Sequence, residues 1–154
     1  MLRMDGFQTH CPSTPEEAVA LYHSLEKPMY IAGGTDLLPN LKHRIVEPKN
    51  LVAIGRAVPK GWTREGDRWA IGAGTRLSQL ARMTEIPPLA QAAGLVAGPQ
   101  IRNMGTIGGN VLLDTRCIYY NQPAGWREAI GGCLKCDGTV CHVARTGTGC
   151  YAAH

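Results

Sequence analysis

Apolar positions in the first third of the chain keep two different periods. In "STPEEAVALYHSLEKP" Ala18, Leu21, Tyr22 and Leu25 recur at i, i+3, i+4 and i+7, which predicts an amphipathic helix. Thr14 stands where an N-cap belongs, Pro15 suits the first turn, Glu17 completes a capping box, and Pro28 ends the segment. Beyond it "MYIA" reads as a short buried strand, "GGTD" as a turn, "LLPNLKH" as a short helix and "LVAIG" (51–55) as a second apolar strand. Strand, helix and strand in alternation predict a small βαβ-like unit.

The texture then changes. "WTREGDRWAIGAGT" predicts two strands around a Gly-Asp turn, and "TRLSQLARM" and "PPLAQAAGLVA" predict short helices. "IRNMGTIGGNVLL" reads as a glycine-punctuated loop entering a strand. A subdomain boundary is expected between Val58 and Gly61. No repeat or low-complexity tract interrupts the pattern.

Composition narrows the class. With 154 residues, 44% hydrophobic and 18% charged, the chain has the make-up of one globular domain with a real core. A formal charge of +4 with aromatics at 6% and scattered Lys and Arg offers no basic stripe with stacking residues, so nucleic acid is not an expected partner. The N-terminal "MLRMDGFQTHCPST" lacks the apolar core of a signal peptide, and no apolar run reaches the roughly 18 residues of a membrane span. The expectation is a soluble cytoplasmic protein with no membrane partner.

Two glycine-rich turns are candidates for ligand binding. In "YIAGGTDLL" (30–38) a strand runs into Gly33 and Gly34 and then into a helix start at Thr35 and Asp36. Glycines admit close approach of a ligand to the backbone, and free N–H groups at a helix start attract an anion such as a diphosphate. In "NMGTIGGNV" (103–111) Gly105, Gly108 and Gly109 form a second potential nest of donors, with Thr106 and Asn110 adding side-chain hydrogen bonds. For either loop alone the competing reading is a tight turn. A third stretch, "IGAGTRL" (71–77), has Leu77 where the dinucleotide fingerprint needs its third glycine, and reads as a strand end.

Five of the six cysteines crowd into 117–150, leaving only Cys11 outside. Disulfides are uncommon in reducing compartments, so the crowding points to metal or redox chemistry. Thiolates ligate iron–sulfur clusters and structural zinc alike, and Cys133-x-x-Cys136 is a good chelating pair for either. The five histidines, His10, His23, His43, His142 and His154, fall in no ligand spacing and read as surface or packing residues. No triad or paired carboxylates appear, so no catalytic residue is assigned.

"AGGTDLLP" followed by "GPQIRNMGTIGGN" resembles the flavin subunits and flavin domains of the molybdenum hydroxylases, the group that includes carbon monoxide dehydrogenase and xanthine dehydrogenase. The resemblance implies an α+β, two-subdomain FAD-binding fold. Its small α/β subdomain would be 1–58 and its antiparallel-sheet subdomain, incomplete here, 59–154. By position it makes FAD contacts of Tyr30, Ile31, Ala32, Gly33, Gly34, Thr35, Asp36 and Leu37 in the first loop, and of Thr106, Ile107, Gly108, Gly109 and Asn110 in the second. Val96 matches an apolar flavin-side position, against the alternative of a core valine.

Within that family the cysteine segment resembles the insertion carried by the β-subunit of 4-hydroxybenzoyl-CoA reductase, which binds a [4Fe-4S] cluster. Cys117, Cys133, Cys141 and Cys150 lie 16, 8 and 9 positions apart, matching the spacing of that subunit's four ligands. The resemblance leaves Cys136 over as an extra cysteine. It implies that Tyr119, Tyr120 and Trp126 shield the cluster, that Tyr119 is one more FAD contact, and that Asp114 and Arg116 are ligand-side residues or loop anchors. It further implies an electron relay through FAD and [4Fe-4S] from a ferredoxin donor. The electrons would pass through a [2Fe-2S] subunit to a molybdopterin subunit that converts 4-hydroxybenzoyl-CoA to benzoyl-CoA. The family's flavin subunits run on for about as many residues again, so low stability is expected of this chain in isolation. The rival readings are a zinc-stabilised binding module and a family member that binds no cofactor.

Overall fold

The computed structural model describes residues 3–152. Its contacts gather the chain into two units. One holds Gly6–Leu38 and Pro48–Leu113, so both sides of the Val58–Gly61 stretch belong to it. The other holds Pro39–Glu47 and the chain from Asp114 onward, with the N-terminal residues through Asp5.

The first unit begins with a strand that the apolar pattern does not reveal, β1 (Gln8–His10). Its three residues are polar and mostly exposed, and it exists because the buried strand β3 (Asn50–Ala53) offers it a parallel edge, Thr9 opposite Leu51. β2 (Pro28–Ile31) pairs parallel with the other edge of β3, Met29 opposite Leu51, giving the order β1-β3-β2. Helix α1 (Pro15–Ser24) starts as the sequence predicts. Thr14 Oγ1 accepts the Glu17 N–H at 3.2 Å, while the Glu17 carboxylate accepts from the Ser13 N–H, one residue upstream of the expected partner. Ala18 packs with Val52 and Ala57, and Leu21 and Leu25 close over them. Asn50 is buried in the central strand yet fully engaged: its amide donates to the Glu26 carbonyl at 2.8 Å, and its Oδ1 meets His10 Nε2 at 3.0 Å. Helix α2 (Leu37–Lys42) follows β2, beginning just past Asp36.

β4 (Trp62–Glu65) and β5 (Arg68–Ile71) form the predicted antiparallel hairpin, with Gly66 at φ 66° in its turn. The strand ends at Ile71, as read from the sequence. Helices α3 (Leu77–Leu80) and α4 (Pro87–Leu95) supply Leu77, Leu80 and Ala93 to a second core, to which Met83 in the turn between them adds and which Trp62, Trp69 and Val96 help to cover. The expected strand after "IRNMGTIGG" is absent. In its place stand two short helices, α5 (Pro99–Met104) and α6 (Ile107–Val111). The reason is local: Thr106 Oγ1 accepts the Gly109 N–H at 3.2 Å and so caps α6, and the glycines form its first turn. In the other unit, α7 (Ala124–Ala129) is the one helix wholly within the cysteine-rich segment among the described residues. No helix among the described residues is long and apolar enough to cross a membrane.

Thr75 ties the hairpin to the loop after it. Its fully buried hydroxyl donates towards the Gly72 carbonyl at 2.6 Å, accepts from the Gly61 N–H at 2.9 Å, and lies 3.0 Å from the Gly61 carbonyl. Thr75→Val keeps the shape and strands these groups, so it should lower stability by about 1–3 kcal/mol, read as a lower urea midpoint with an unchanged slope.

Candidate functional site

Three backbone segments converge in the first unit. The first glycine loop leaves the C-terminal end of β2, the place where parallel strands commonly present a ligand site. A Cβ built on Gly33 would lie 2.0 Å from the Met104 carbonyl oxygen, so the two glycine loops touch backbone to backbone there. Gly34 has φ 71°, the left-handed turn that swings the chain into α2. The second loop is held from its other side by the segment after β5. Leu77 N–H donates to the Gly105 carbonyl, Ile107 N–H to Thr75 and Gly108 N–H to Ala73, at 2.9 to 3.0 Å. A Cβ on Gly108 would come within 2.8 Å of the Ala73 Cβ. The stretch 71–77, set aside in the sequence as a strand end, is thus the third wall of this arrangement.

These contacts revise the picture of two donor nests. The N–H groups of Ile107, Gly108 and Gly109 are engaged with Thr75, Ala73 and the Thr106 hydroxyl, so what the second loop presents is its bare backbone surface. Gly109 is exposed, and a Cβ there would meet only Thr106 Oγ1, at 3.2 Å. A ligand can therefore approach the backbone at Gly109 without meeting a side chain. Around it, Ile31, Gly33, Gly34, Thr35, Asp36, Leu37, Thr106, Ile107 and Asn110 are half-buried, while Ala32 and Tyr30 are exposed. Tyr30 stacks on Tyr22 with ring centroids 4.4 Å apart. Val96 packs against the α3–α4 core and its carbonyl accepts from Arg102 at 2.9 Å.

The second unit contains a different feature. Cys117, Cys133, Cys141 and Cys150 all border one small recess, open to solvent and with little enclosed space, together with Tyr119, Tyr120, Lys135 and His142. Trp126 is not among its walls; it is 41% exposed on α7, so the expected shielding falls to the two tyrosines alone. Cys133 and Cys141 are buried, Cys117 half-buried and Cys150 exposed. The backbone N–H groups of Ala144, Tyr151 and Val143 stabilise the Cys141 thiolate and hold that thiol below its ordinary range. Lys135, absent from the sequence-based site, pairs with Asp114 at 2.6 Å, donates to the Thr115 carbonyl and lies 5.2 Å from the centre of the Tyr120 ring. Its signal was its position between two cysteines. His142 Nε2 bonds the Gly132 carbonyl at 2.6 Å and its ring tilts against Tyr119. Arg116 donates to Asn40, so it and Asp114 act as anchors of this segment.

Cys136 stands apart from the recess, its sulfur 3.4 Å from that of Cys133. Burial and the hydrogen bond with Cys133 push its thiol up. Among the described residues no three His, Cys, Asp or Glu side chains are gathered closely enough to grip a metal ion. A cube's own bulk stands between its ligand sulfurs, so ligands of a cluster lie farther apart than those of one ion. Thiolates are the donors that iron–sulfur clusters use, but the four sulfurs here are not drawn into a coordination sphere and the recess between them is small. Cys11 and His43 are exposed, His10 is taken up by its hydrogen bond with Asn50, and His23 lies edge-on to Tyr22; His154 lies outside the described residues.

Two glycine loops are thus held together beyond a short parallel sheet, beside an antiparallel hairpin. Residues 5–147 match the family described as the FAD binding domain in molybdopterin dehydrogenase, and the chain belongs to that family. It is 41% identical to the carbon monoxide dehydrogenase medium chain of Hydrogenophaga pseudoflava over 68% of this chain and 39% of that one. It is 32% identical to the aldehyde oxidoreductase FAD-binding subunit PaoB of Escherichia coli (strain K12), over 98% of this chain and 51% of that subunit. The solved carbon monoxide dehydrogenase from Hydrogenophaga pseudoflava, in a form lacking the Mo-pyranopterin moiety, superposes with a TM-score of 0.68 over 71% of this chain and 40% of that chain, at 39% identity. The chain thus spans about half or less of the length of these relatives.

Because Gly33 meets a fixed carbonyl, Gly33→Ala should force the glycine loops apart and cost about 1–3 kcal/mol. Thermal unfolding followed by circular dichroism reads this directly, with Gly109→Ala as a control expected to change stability by no more than about 1 kcal/mol.

Proposed function

We propose that this chain is the FAD-binding part of an electron-transfer subunit of a molybdenum hydroxylase complex and that its cysteine segment holds a [4Fe-4S] cluster. The observation that carries the first half is the backbone contact of the two glycine loops; for the second it is the common recess of Cys117, Cys133, Cys141 and Cys150. In this reading 1–58 and 59–154 are the two FAD-binding subdomains and 117–150 is the iron–sulfur insertion. FAD contacts run from Tyr30 to Leu37 and from Thr106 to Asn110, with Val96 on the flavin side and Tyr119 as one further contact by its position in the sequence. When bound, FAD exchanges one or two electrons and the cluster one, so the pair joins one-electron donors to two-electron chemistry.

The chain's own residues do the holding. The Gly33–Met104 contact fixes the spacing of the loops, and Gly109 leaves backbone open to the diphosphate. Thiolates of the four cysteines are the ligands, Tyr119 and Tyr120 limit water in the recess, and Lys135 places a positive charge beside the anionic cluster site. Substrate chemistry belongs to a molybdopterin partner reached through a [2Fe-2S] partner. The ligand spacing favours a complex of the 4-hydroxybenzoyl-CoA reductase type, drawing on reduced ferredoxin in the degradation of aromatic compounds. A second reading, an aldehyde oxidoreductase type, is favoured by the match to PaoB, which runs over 98% of this chain and so across the cysteine segment.

Co-expression with the molybdenum and [2Fe-2S] subunits and anaerobic purification test both halves. The expected product contains FAD, and iron and sulfide beyond that of the [2Fe-2S] partner, with visible bands that bleach on reduction. Gly109→Val should remove most of the FAD while leaving iron and the folded complex intact. Zinc in place of the extra iron, with no flavin, would sink the proposal. Turnover of 4-hydroxybenzoyl-CoA against aromatic aldehydes separates the two substrate readings.

A further inference from the structure

Cys136 is the cysteine in this segment that the four-ligand reading leaves unused, and its surroundings give it a chemistry of its own. Cys133 and Cys136 face each other across a two-residue turn closed by reciprocal backbone bonds. Cys133 N–H donates to the Cys136 carbonyl at 3.0 Å, and Cys136 N–H donates to the Cys133 carbonyl at 2.8 Å. Residues that exchange both backbone bonds in this way have Cα atoms roughly 5.5 Å apart. That separation falls in the window of about 4.4–6.8 Å that a disulfide requires. The sulfurs are already 3.4 Å apart. The turn itself is held tightly: a Cβ on Gly132 would lie 2.4 Å from the Cys136 carbonyl oxygen, and one on Gly138 2.4 Å from the Cys133 nitrogen. Of the two thiols, Cys133 is buried and Cys136 is the more accessible.

We propose that Cys133 and Cys136 form an oxidisable dithiol, a reversible disulfide site that competes with the metal recess for Cys133. The oxidant is a low-molecular-weight disulfide of the glutathione class. Cys136, the more accessible thiol, gives up its proton and attacks one of its sulfurs, forming a mixed disulfide and releasing one small thiol. Cys133 then attacks the Cys136 sulfur, forming the intramolecular bond and releasing the second small thiol. Two protein thiols lose two electrons and two protons, and one small disulfide becomes two thiols. Because Cys133 is one of the four sulfurs bordering the recess, its oxidation leaves only Cys117, Cys141 and Cys150 there. The effect on cluster assembly rests on the cluster reading above; the disulfide itself does not.

The test uses the full chain, prepared free of iron, fully reduced, then equilibrated with oxidised glutathione and alkylated. Peptide mass mapping should find Cys133 joined to Cys136 as the main internal link, reversed by dithiothreitol. Cys136→Ser and Cys136→Ala should each abolish that link. A main link from Cys133 to Cys117, Cys141 or Cys150, or no internal link at all, overturns the proposal. A second readout is iron and sulfide uptake. The oxidised wild-type chain should lose most of its uptake relative to the reduced chain, while the Cys136 variants take up the same amount with or without prior oxidant. Equal uptake by oxidised and reduced wild type overturns the competition. If no form takes up iron, the cluster reading and with it the competition fail, while the disulfide map still decides whether the dithiol exists.

Discussion

The arrangement depends on the passage of one backbone across another. Gly33 sits so close to the Met104 carbonyl that no side chain fits between them, and this contact joins the end of a parallel strand to the turn before α6. Everything else about the glycine site follows from that distance. The segment 73–77 can bond to 105–108 only because the second loop is pinned, and Gly108 must then lack a side chain to lie against Ala73. What is left open to a ligand is the exposed surface around Gly109.

Close packing changes the role of the glycines. In many phosphate cradles glycine exposes N–H groups to the anion, yet here the N–H groups of Ile107, Gly108 and Gly109 are engaged within the protein. Their engagement makes the loop rigid. A rigid, side-chain-free surface presented to an extended cofactor reduces the conformational freedom lost on binding.

The cysteine segment works on a different principle. It has little core, and several of its apolar side chains, including Ile118, Val143 and Tyr151, are more than half exposed. Its order comes instead from anchors at polar points: Lys135 on Asp114 and Thr115, Arg116 on Asn40, and His142 on the Gly132 carbonyl. Thiols arranged this way can accept an inorganic group or each other, and which they do depends on the redox surroundings.

The elements with a clear local period were legible in the sequence: the capped helix α1, the strands β2 and β3, the Gly-Asp hairpin and the helices α3 and α4. So were the two glycine loops and the cysteine spacing, because glycine and cysteine are chosen for their own chemistry whatever surrounds them. Strand β1 was not legible, since three polar residues become a strand only when a neighbouring edge is present to pair with. The helix at Ile107–Val111 was hidden for a related reason: glycines disfavour helix on their own, and a threonine cap together with the walls at Ala73 and Thr75 reversed that preference. Only the tertiary structure could bring position 33 against position 104 or Cys117 to the same recess as Cys150, because such contacts arise from how distant segments pack and leave no mark in the residues beside them.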